Sequence, residues 1–208
     1  MSEKLCEKSC EDFAAALASS APVPGGGGAA ALCGALAVSL CSMAGRLSAG
    51  RKKNAEDKAA VEALVQRADA LRLRLLALVE EDAAGFAPLA AAYAIPKDNP
   101  DRAAVLREAT LGACKAPVEI VERCGEAAEL LEEMGRLASP LLLSDVGCGA
   151  ALCRAAMESA LFNVLVNTRS LPGDAEAEQW SRRARQTIEK EHARLETLAR
   201  SVREALEH

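Results

Sequence analysis

The sequence predicts an all-α protein from its composition and from one long uncharged stretch. Half of the 208 residues are hydrophobic, but only 2% are aromatic, and alanine takes much of their place. Small side chains let helices approach closely, whereas sheets prefer β-branched and aromatic residues. Residues 13–45 contain no charge in a chain that is 26% charged, so this stretch must be hidden from water. We predict a single domain over residues 1–208: about six helical segments around a buried, uncharged central helix.

The central helix is predicted from residues 29–45, which are apolar or small on every side. A helix of this kind is either a membrane span or the core helix of a bundle. About 17 residues is short for a span, and Ala, Gly, Ser and Cys outnumber Leu, Ile and Phe here. The preceding Pro22–Gly28 segment is not expected to extend it as helix. We therefore predict a core helix, no membrane span, and a helix start after the glycine run.

The remaining helices are predicted from their caps and breaks. Ser9 opens a short amphipathic helix that Ala21-Pro22 ends. A long helix from Ala55 is closed by Ile95-Pro96, and Pro172-Gly173 precedes a highly charged last helix. The four helices that follow the central one are predicted over residues 55–94, 101–136, 139–167 and 176–207.

Charge and cysteine content exclude several classes of protein. A formal net charge of −5 argues against general nucleic-acid binding, which needs a broad basic face. The amino terminus is charged at once, without the apolar core of a signal peptide. The eight cysteines form no CxxC pair, and only two histidines accompany them, so no metal site is expected. We expect reduced cysteines and a cytoplasmic protein.

One carboxylate interrupts the apolar face of the long helix. Asp82 falls four residues after Leu78 and four before Phe86, on the same helix face. Such a carboxylate must be paired, hydrogen-bonded or protonated, and is often functional. It can equally cap another helix or pair with a buried cation. The apolar members of this face are Leu71, Leu75, Leu78, Phe86, Leu89 and Tyr93.

A second line of small and polar residues follows one face of the fifth helix. Asn163 and Asn167, one turn apart, could both contact one ligand, or could tie helices together by interhelical hydrogen bonds. The members of this line are Asp145, Gly149, Leu152, Ala156, Ser159, Asn163 and Asn167.

The glycine run and a basic cluster are the remaining candidates. Residues 25–28 lack the Gly-Lys-Ser/Thr ending of a phosphate loop and follow no strand. Their N–H groups could hold an anion or a polar ligand, or the run could be a tight turn between closely packed backbones. Residues 51–53 are three adjacent cations that could complement a helix carboxyl end or receive an anionic substrate tail.

Taken together, these motifs resemble the formiminotetrahydrofolate cyclodeaminase / methenyltetrahydrofolate cyclohydrolase family. The resemblance covers roughly Glu11 to Arg200 and rests on five segments that occur in the family's order and spacing. The segments are PVPGGGGAAALCGALAVSLCSMAG, GRKKN, LVEEDAAGFAPLAAAYAIPK, SDVGCGA and FNVLVN.

The resemblance implies an all-α homodimer that acts on a folate-bound one-carbon unit without a metal or other cofactor. The folate is the substrate, and it can carry a polyglutamate tail. Asp82 matches the family's catalytic acid/base. The resemblance further implies substrate-binding roles for Gly25, Gly26, Gly27, Lys52, Lys53, Ser144, Asp145, Asn163 and Asn167.

Four departures from the family's pattern bear on the substrate. Gly28 stands where the family usually has serine and Asn54 where it has an aromatic residue, and Gly85 and Pro88 differ from the family's usual residues after Asp82. We expect the stand-alone form of the family, without the formiminotransferase domain of the bifunctional animal enzymes. This favours the cyclohydrolase: hydrolysis of 5,10-methenyltetrahydrofolate to 10-formyltetrahydrofolate. The alternatives are a formiminotetrahydrofolate cyclodeaminase that releases ammonia, and a helical protein that binds folate without catalysis.

Overall fold

The fold is an all-helical bundle, as predicted. A computed structural model describes residues 4–52 and 54–207, and within them it contains six α-helices, two short 3₁₀ turns (Leu5–Glu7 and Pro140–Leu142) and no strand. Lys53 lies outside the described residues. The helices are α1 (Cys10–Leu17), α2 (Gly26–Ala49), α3 (Ala55–Tyr93), α4 (Arg102–Leu137), α5 (Leu143–Thr168) and α6 (Ala175–Glu207).

Helix α2 is the central helix. It packs against α3, α4 and α5, and its buried positions include Ala31, Ala37 and Cys41. Its length and hydropathy would also allow it to cross a membrane, as would those of Pro140–Thr168. In the bundle, however, more than half of its residues are buried. The prediction of a buried core helix is therefore confirmed, but residues 14–22 of the same uncharged stretch are almost all exposed, so the expectation that the whole stretch is hidden from water was wrong.

The predicted start of α2 was wrong. The helix begins at Gly26, inside the glycine run, with Gly25 in extended backbone geometry as its N-cap. Each glycine in a helix costs up to about 1 kcal/mol relative to alanine, so propensity alone argued against this start. Gly27 and Gly28 are buried, and their packing against α3 offsets that cost.

The apolar face of α3 is buried as predicted except at its end. Leu71, Leu75 and Leu78 lie in the main core, but Tyr93 is 56% exposed. Here α3 and α4 continue past the main core as a hairpin with its own small cluster, which does not include Tyr93. That cluster consists of Leu89, Ala92, Ala109 and Ala113.

Gly149 allows α5 to approach α2 closely, and we expect Gly149→Ala to destabilise the protein. A Cβ there would lie 2.7 Å from a Leu131 methyl carbon and 3.1 Å from the Ala37 carbonyl oxygen, a backbone atom. Overpacking of this kind costs about 1–3 kcal/mol, which outweighs the gain of about 0.5–1 kcal/mol that alanine normally brings to a helix. Urea unfolding measures the difference.

Gly112→Ala in α4 is the matched control, because a Cβ there meets no atom within 4 Å. This variant should be slightly more stable than the wild type. If both substitutions shifted the unfolding midpoint equally, close packing at Gly149 would not be the cause.

Candidate active site

A pocket of about 160 Å³ lies where the start of α2 meets the last third of α3, the first half of α4 and the end of α5. Its lining includes one carboxylate, two carboxamides and the glycine-rich start of α2. Four helices, α2 to α5, contribute to this one site. Six of the residues that the sequence singled out line it: Gly25, Gly26, Gly27, Asp82, Asn163 and Asn167.

The carboxylate of Asp82 lies against the amino-terminal turn of α2. The Gly28 N–H donates a hydrogen bond to it, and the positive end of the helix dipole favours the charged form. A Cβ built on Gly27 would lie only 2.5 Å from the carboxyl carbon of Asp82. Glycine at position 27 is therefore required for this approach, and a hydrogen atom is all that fits between the helix and the carboxylate.

Burial sets the proton affinity of this carboxylate. Desolvation raises the pKa of Asp82 above its ordinary value, and the hydrogen bond from Gly28 opposes this without cancelling it. A partly buried carboxyl group with a raised pKa, placed in a pocket, is suited to accept and return a proton near neutral pH.

The side chains of both asparagines line the pocket. The Nδ2 of Asn163 donates to the Ser159 carbonyl at 2.8 Å, and the Nδ2 of Asn167 donates to the Ala113 carbonyl at 3.4 Å. One N–H of each amide thus holds the main chain, and each Oδ1 can accept a hydrogen bond from a ligand. With Asp82, the pocket is rich in acceptors and suits a ligand that carries N–H donors and a positive charge.

The raised pKa predicts that Asp82→Asn stabilises the protein at neutral pH. A carboxyl group with a higher pKa in the folded protein than in the unfolded chain binds more protons when folded. Its ionisation therefore destabilises the fold as the pH rises from 3.8, its ordinary pKa, through the raised value. Asparagine removes that charge, so its urea midpoint should exceed that of the wild type at pH 7, by a margin that shrinks towards pH 4.

Asp69, on the same helix, provides the opposite control. Desolvation would raise its pKa, but hydrogen bonds from Arg46 and Ser42 lower it overall, so its ionisation stabilises the fold and this contribution is lost as the pH falls. Asp69→Asn should therefore destabilise the protein at neutral pH. A loss of stability in both variants at pH 7 would contradict the raised pKa of Asp82.

Three other predicted site residues lie at the opposite end of the bundle. Lys52 follows the last turn of α2, about 36 Å along that helix from Gly26. Ser144 and Asp145 begin α5, about 27 Å from Asn163. Arg51 donates a hydrogen bond to the Ser139 hydroxyl, and the Ser139 N–H donates one to the Ser48 hydroxyl, so the two chain segments are held together at this common end. Within one chain, these residues do not meet Asp82.

The structure also adds residues that the sequence did not single out as site residues. Ala113 and Pro117 of α4 and Val166 of α5 line the pocket. An adjoining groove of about 470 Å³ between α2 and α5 contains Cys33 and Phe162. The sequence signal at Pro117 was a proline inside a predicted helix. Such a proline indicates a bend in the helix and does not by itself indicate a site residue. Among the described residues, no group of three His, Cys, Asp or Glu side chains could hold a metal ion.

The fold and the pocket together define an all-helical bundle with a pocket built around one partly buried carboxylate. The chain belongs to the formiminotransferase-cyclodeaminase family, whose model matches residues 9–203. It is 35% identical to the methenyltetrahydrofolate cyclohydrolase of Methylorubrum extorquens over 173 residues, which cover 81% of this chain and 83% of that protein.

Bifunctional relatives match the same region. The formimidoyltransferase-cyclodeaminase of Mus musculus is 28% identical over 83% of this chain, which corresponds to 32% of that protein. The crystal structure of formiminotetrahydrofolate cyclodeaminase from Thermotoga maritima superposes with a TM-score of 0.82 over 98% of both chains, at 24% identity. The latter likeness shows the shared fold.

Proposed function

We propose that the protein hydrolyses 5,10-methenyltetrahydrofolate to 10-formyltetrahydrofolate. The observation that carries this proposal is the Asp82 carboxylate in an acceptor-lined pocket, which suits a cationic methenyl group. The 35% identity to a methenyltetrahydrofolate cyclohydrolase over most of both chains supports this reaction over others of the family.

Asp82 is proposed to act first as a base and then as an acid. The carboxylate takes a proton from a water molecule whose oxygen bonds to the methenyl carbon, giving a neutral tetrahedral carbon between N5 and N10. The hydroxyl then loses its proton as the C=O bond forms and the C–N5 bond breaks, and protonated Asp82 returns its proton to N5. Water thus supplies the formyl oxygen and the N5 hydrogen, and one proton is released to solvent.

The surroundings of Asp82 suit both steps. The carboxylate stabilises the positive methenyl group electrostatically, and its raised pKa makes it a stronger base than an ordinary aspartate. The Oδ1 atoms of Asn163 and Asn167 can accept hydrogen bonds from pterin N–H groups. A pocket of about 160 Å³ holds the reacting end of the folate, and the adjoining groove leaves room for the rest.

The second candidate is a formiminotetrahydrofolate cyclodeaminase, supported by the bifunctional relatives at 28% identity. There N10 attacks the formimino carbon of the substrate and ammonia leaves, again through a tetrahedral carbon between nitrogens. One pair of assays separates the candidates. Loss of the methenyl absorbance from 5,10-methenyltetrahydrofolate supports the cyclohydrolase, and its gain from 5-formiminotetrahydrofolate supports the cyclodeaminase. Binding of folate with neither change indicates the non-catalytic alternative.

We further propose that the protein is a cytoplasmic homodimer that pairs through an exposed apolar stripe of α2. Leu36, Met43 and Leu47 are 51%, 38% and 51% exposed on one face of a helix whose charges lie only at its end. All eight cysteines are free thiols, which suits a reducing compartment. Light scattering of the purified protein tests the dimer: a monomer mass would contradict it.

A dimer of this kind would also give a role to the distant candidate residues. In a two-fold symmetric pair the two α2 helices can run antiparallel, so that Lys52, Ser144 and Asp145 of one chain approach the pocket of the other. Lys52 would then face the folate carboxylates, including those of a polyglutamate tail. Mixing Asp82→Asn and Lys52→Ala subunits tests this, because only a shared site regains activity on mixing.

A further inference from the structure

A carbonyl group of α4 lacks its usual helical partner next to the pocket. Pro117 lies inside α4 and has no N–H, so the carbonyl of Ala113, four residues earlier, receives no hydrogen bond from it. The Nδ2 of Asn167 donates to this same carbonyl at 3.4 Å. All three residues line the pocket that contains Asp82, so the acceptor that Pro117 leaves free of a helical donor lies beside a side chain of the pocket.

We propose that Pro117 is a positioning residue of the site: it leaves the Ala113 carbonyl free to hold the Asn167 amide, which turns the Asn167 Oδ1 towards the ligand. This inference rests on the proposed function. A free carboxamide can present either its NH₂ group or its oxygen. A methenyl cation and pterin N–H groups are bound by an oxygen atom. If the nitrogen of Asn167 is anchored, its oxygen already faces the ligand, and the side chain does not rearrange when the ligand binds.

The chain contains a matched control for this device. Pro88 likewise lies inside a helix, α3, and likewise deprives the carbonyl of Ala84 of its helical donor. Both Pro88 and Ala84 are exposed, and neither lines the pocket. The two prolines therefore have the same effect on their helices but differ in what their freed carbonyl can hold.

The test compares Pro117→Ala with Pro88→Ala in the methenyl absorbance assay. In Pro117→Ala the new N–H competes for the Ala113 carbonyl, and Asn167 loses its anchor. One such hydrogen bond corresponds to about a two- to tenfold change, so KM should rise by that factor while kcat stays within about twofold. Pro88→Ala should leave KM unchanged. In an Asn167→Ala background, Pro117→Ala should have no further effect on KM.

An unchanged KM in Pro117→Ala, an equal rise in Pro88→Ala, or an undiminished effect in the Asn167→Ala background would each overturn the inference. A readout that needs no substrate separates this failure from failure of the proposed function. The side-chain amide protons of Asn167, assigned by ¹⁵N NMR, should shift in Pro117→Ala and not in Pro88→Ala, whether or not the protein acts on folate. If these protons did not shift in Pro117→Ala, the proposed role of Pro117 would be wrong whatever the protein's function. If the wild type neither binds nor converts folate, the proposed function is wrong.

Discussion

Asp82→Asn is expected to lower kcat for 5,10-methenyltetrahydrofolate by about 10²–10⁴-fold, the usual contribution of a general acid–base group. Asparagine has nearly the same shape and can still accept the hydrogen bond from Gly28. It can neither take a proton from water nor return one to N5. The pocket keeps its shape but loses the charge beside the methenyl cation, so KM should rise, by a smaller factor than kcat falls. Initial rates at saturating substrate measure the effect.

Asp69→Asn is the control on the same helix. Asp69 pairs with Arg46 and Ser42 and does not line the pocket, so this variant should keep wild-type kcat although it loses stability. Near-normal turnover by a folded Asp82→Asn protein would show that another group moves the proton.

Gly27→Ala should abolish most activity through a single methyl group. The Cβ and the carboxyl carbon of Asp82 would be 2.5 Å apart, so the carboxylate has to leave its position at the start of α2. A displacement of about 1 Å in a catalytic group can cost about 10²-fold in rate. Alanine favours a helix over glycine, so the expected defect is in kcat and not in the folding of α2. Steady-state kinetics with circular dichroism separates the two.

The neighbouring glycine supplies the control. A Cβ on Gly28 would lie 3.6 Å from Pro24 and 3.7 Å from Val79, which are ordinary contacts. Gly28→Ala should therefore remain active, and so should Gly28→Ser, which restores the residue usual in the family. Full activity of Gly27→Ala, or an equal loss in Gly28→Ala, would contradict the close approach of Asp82 to residue 27.

The helices were predictable because their limits depend on local chemistry. Ser9 is the N-cap of α1 and accepts a hydrogen bond from the Asp12 N–H. The long helices end within a few residues of the predicted positions. The start of α2 was not predictable from propensity, because glycines enter this helix for the sake of packing. Their benefit comes from Asp82 and Val79 of α3, which are more than 50 residues away in sequence.

The candidate site was predictable in part. The helical periodicity singled out Asp82, Asn163 and Asn167, and the pocket contains all three. Motif order placed Lys52 in the same site, and helical periodicity placed Asp145 on the same face as the asparagines. The lengths of α2 and α5 nevertheless put these two residues at the opposite end of the bundle. A helix of 24 residues separates its ends by about 36 Å. The distance between Lys52 and the glycine run could therefore have been estimated from the predicted helix. Which helix ends meet depends on packing between distant segments.

A crystal structure of the Asp82→Asn protein with 5,10-methenyltetrahydrofolate is the sharpest test of Asp82 as the acid–base group, because slow turnover would preserve the bound substrate. We expect the methenyl carbon beside residue 82, with pterin N–H groups donating to the Oδ1 atoms of Asn163 and Asn167. The substrate bound elsewhere, for example in the groove between α3 and α4 lined by Arg67 and Arg74, would contradict this expectation.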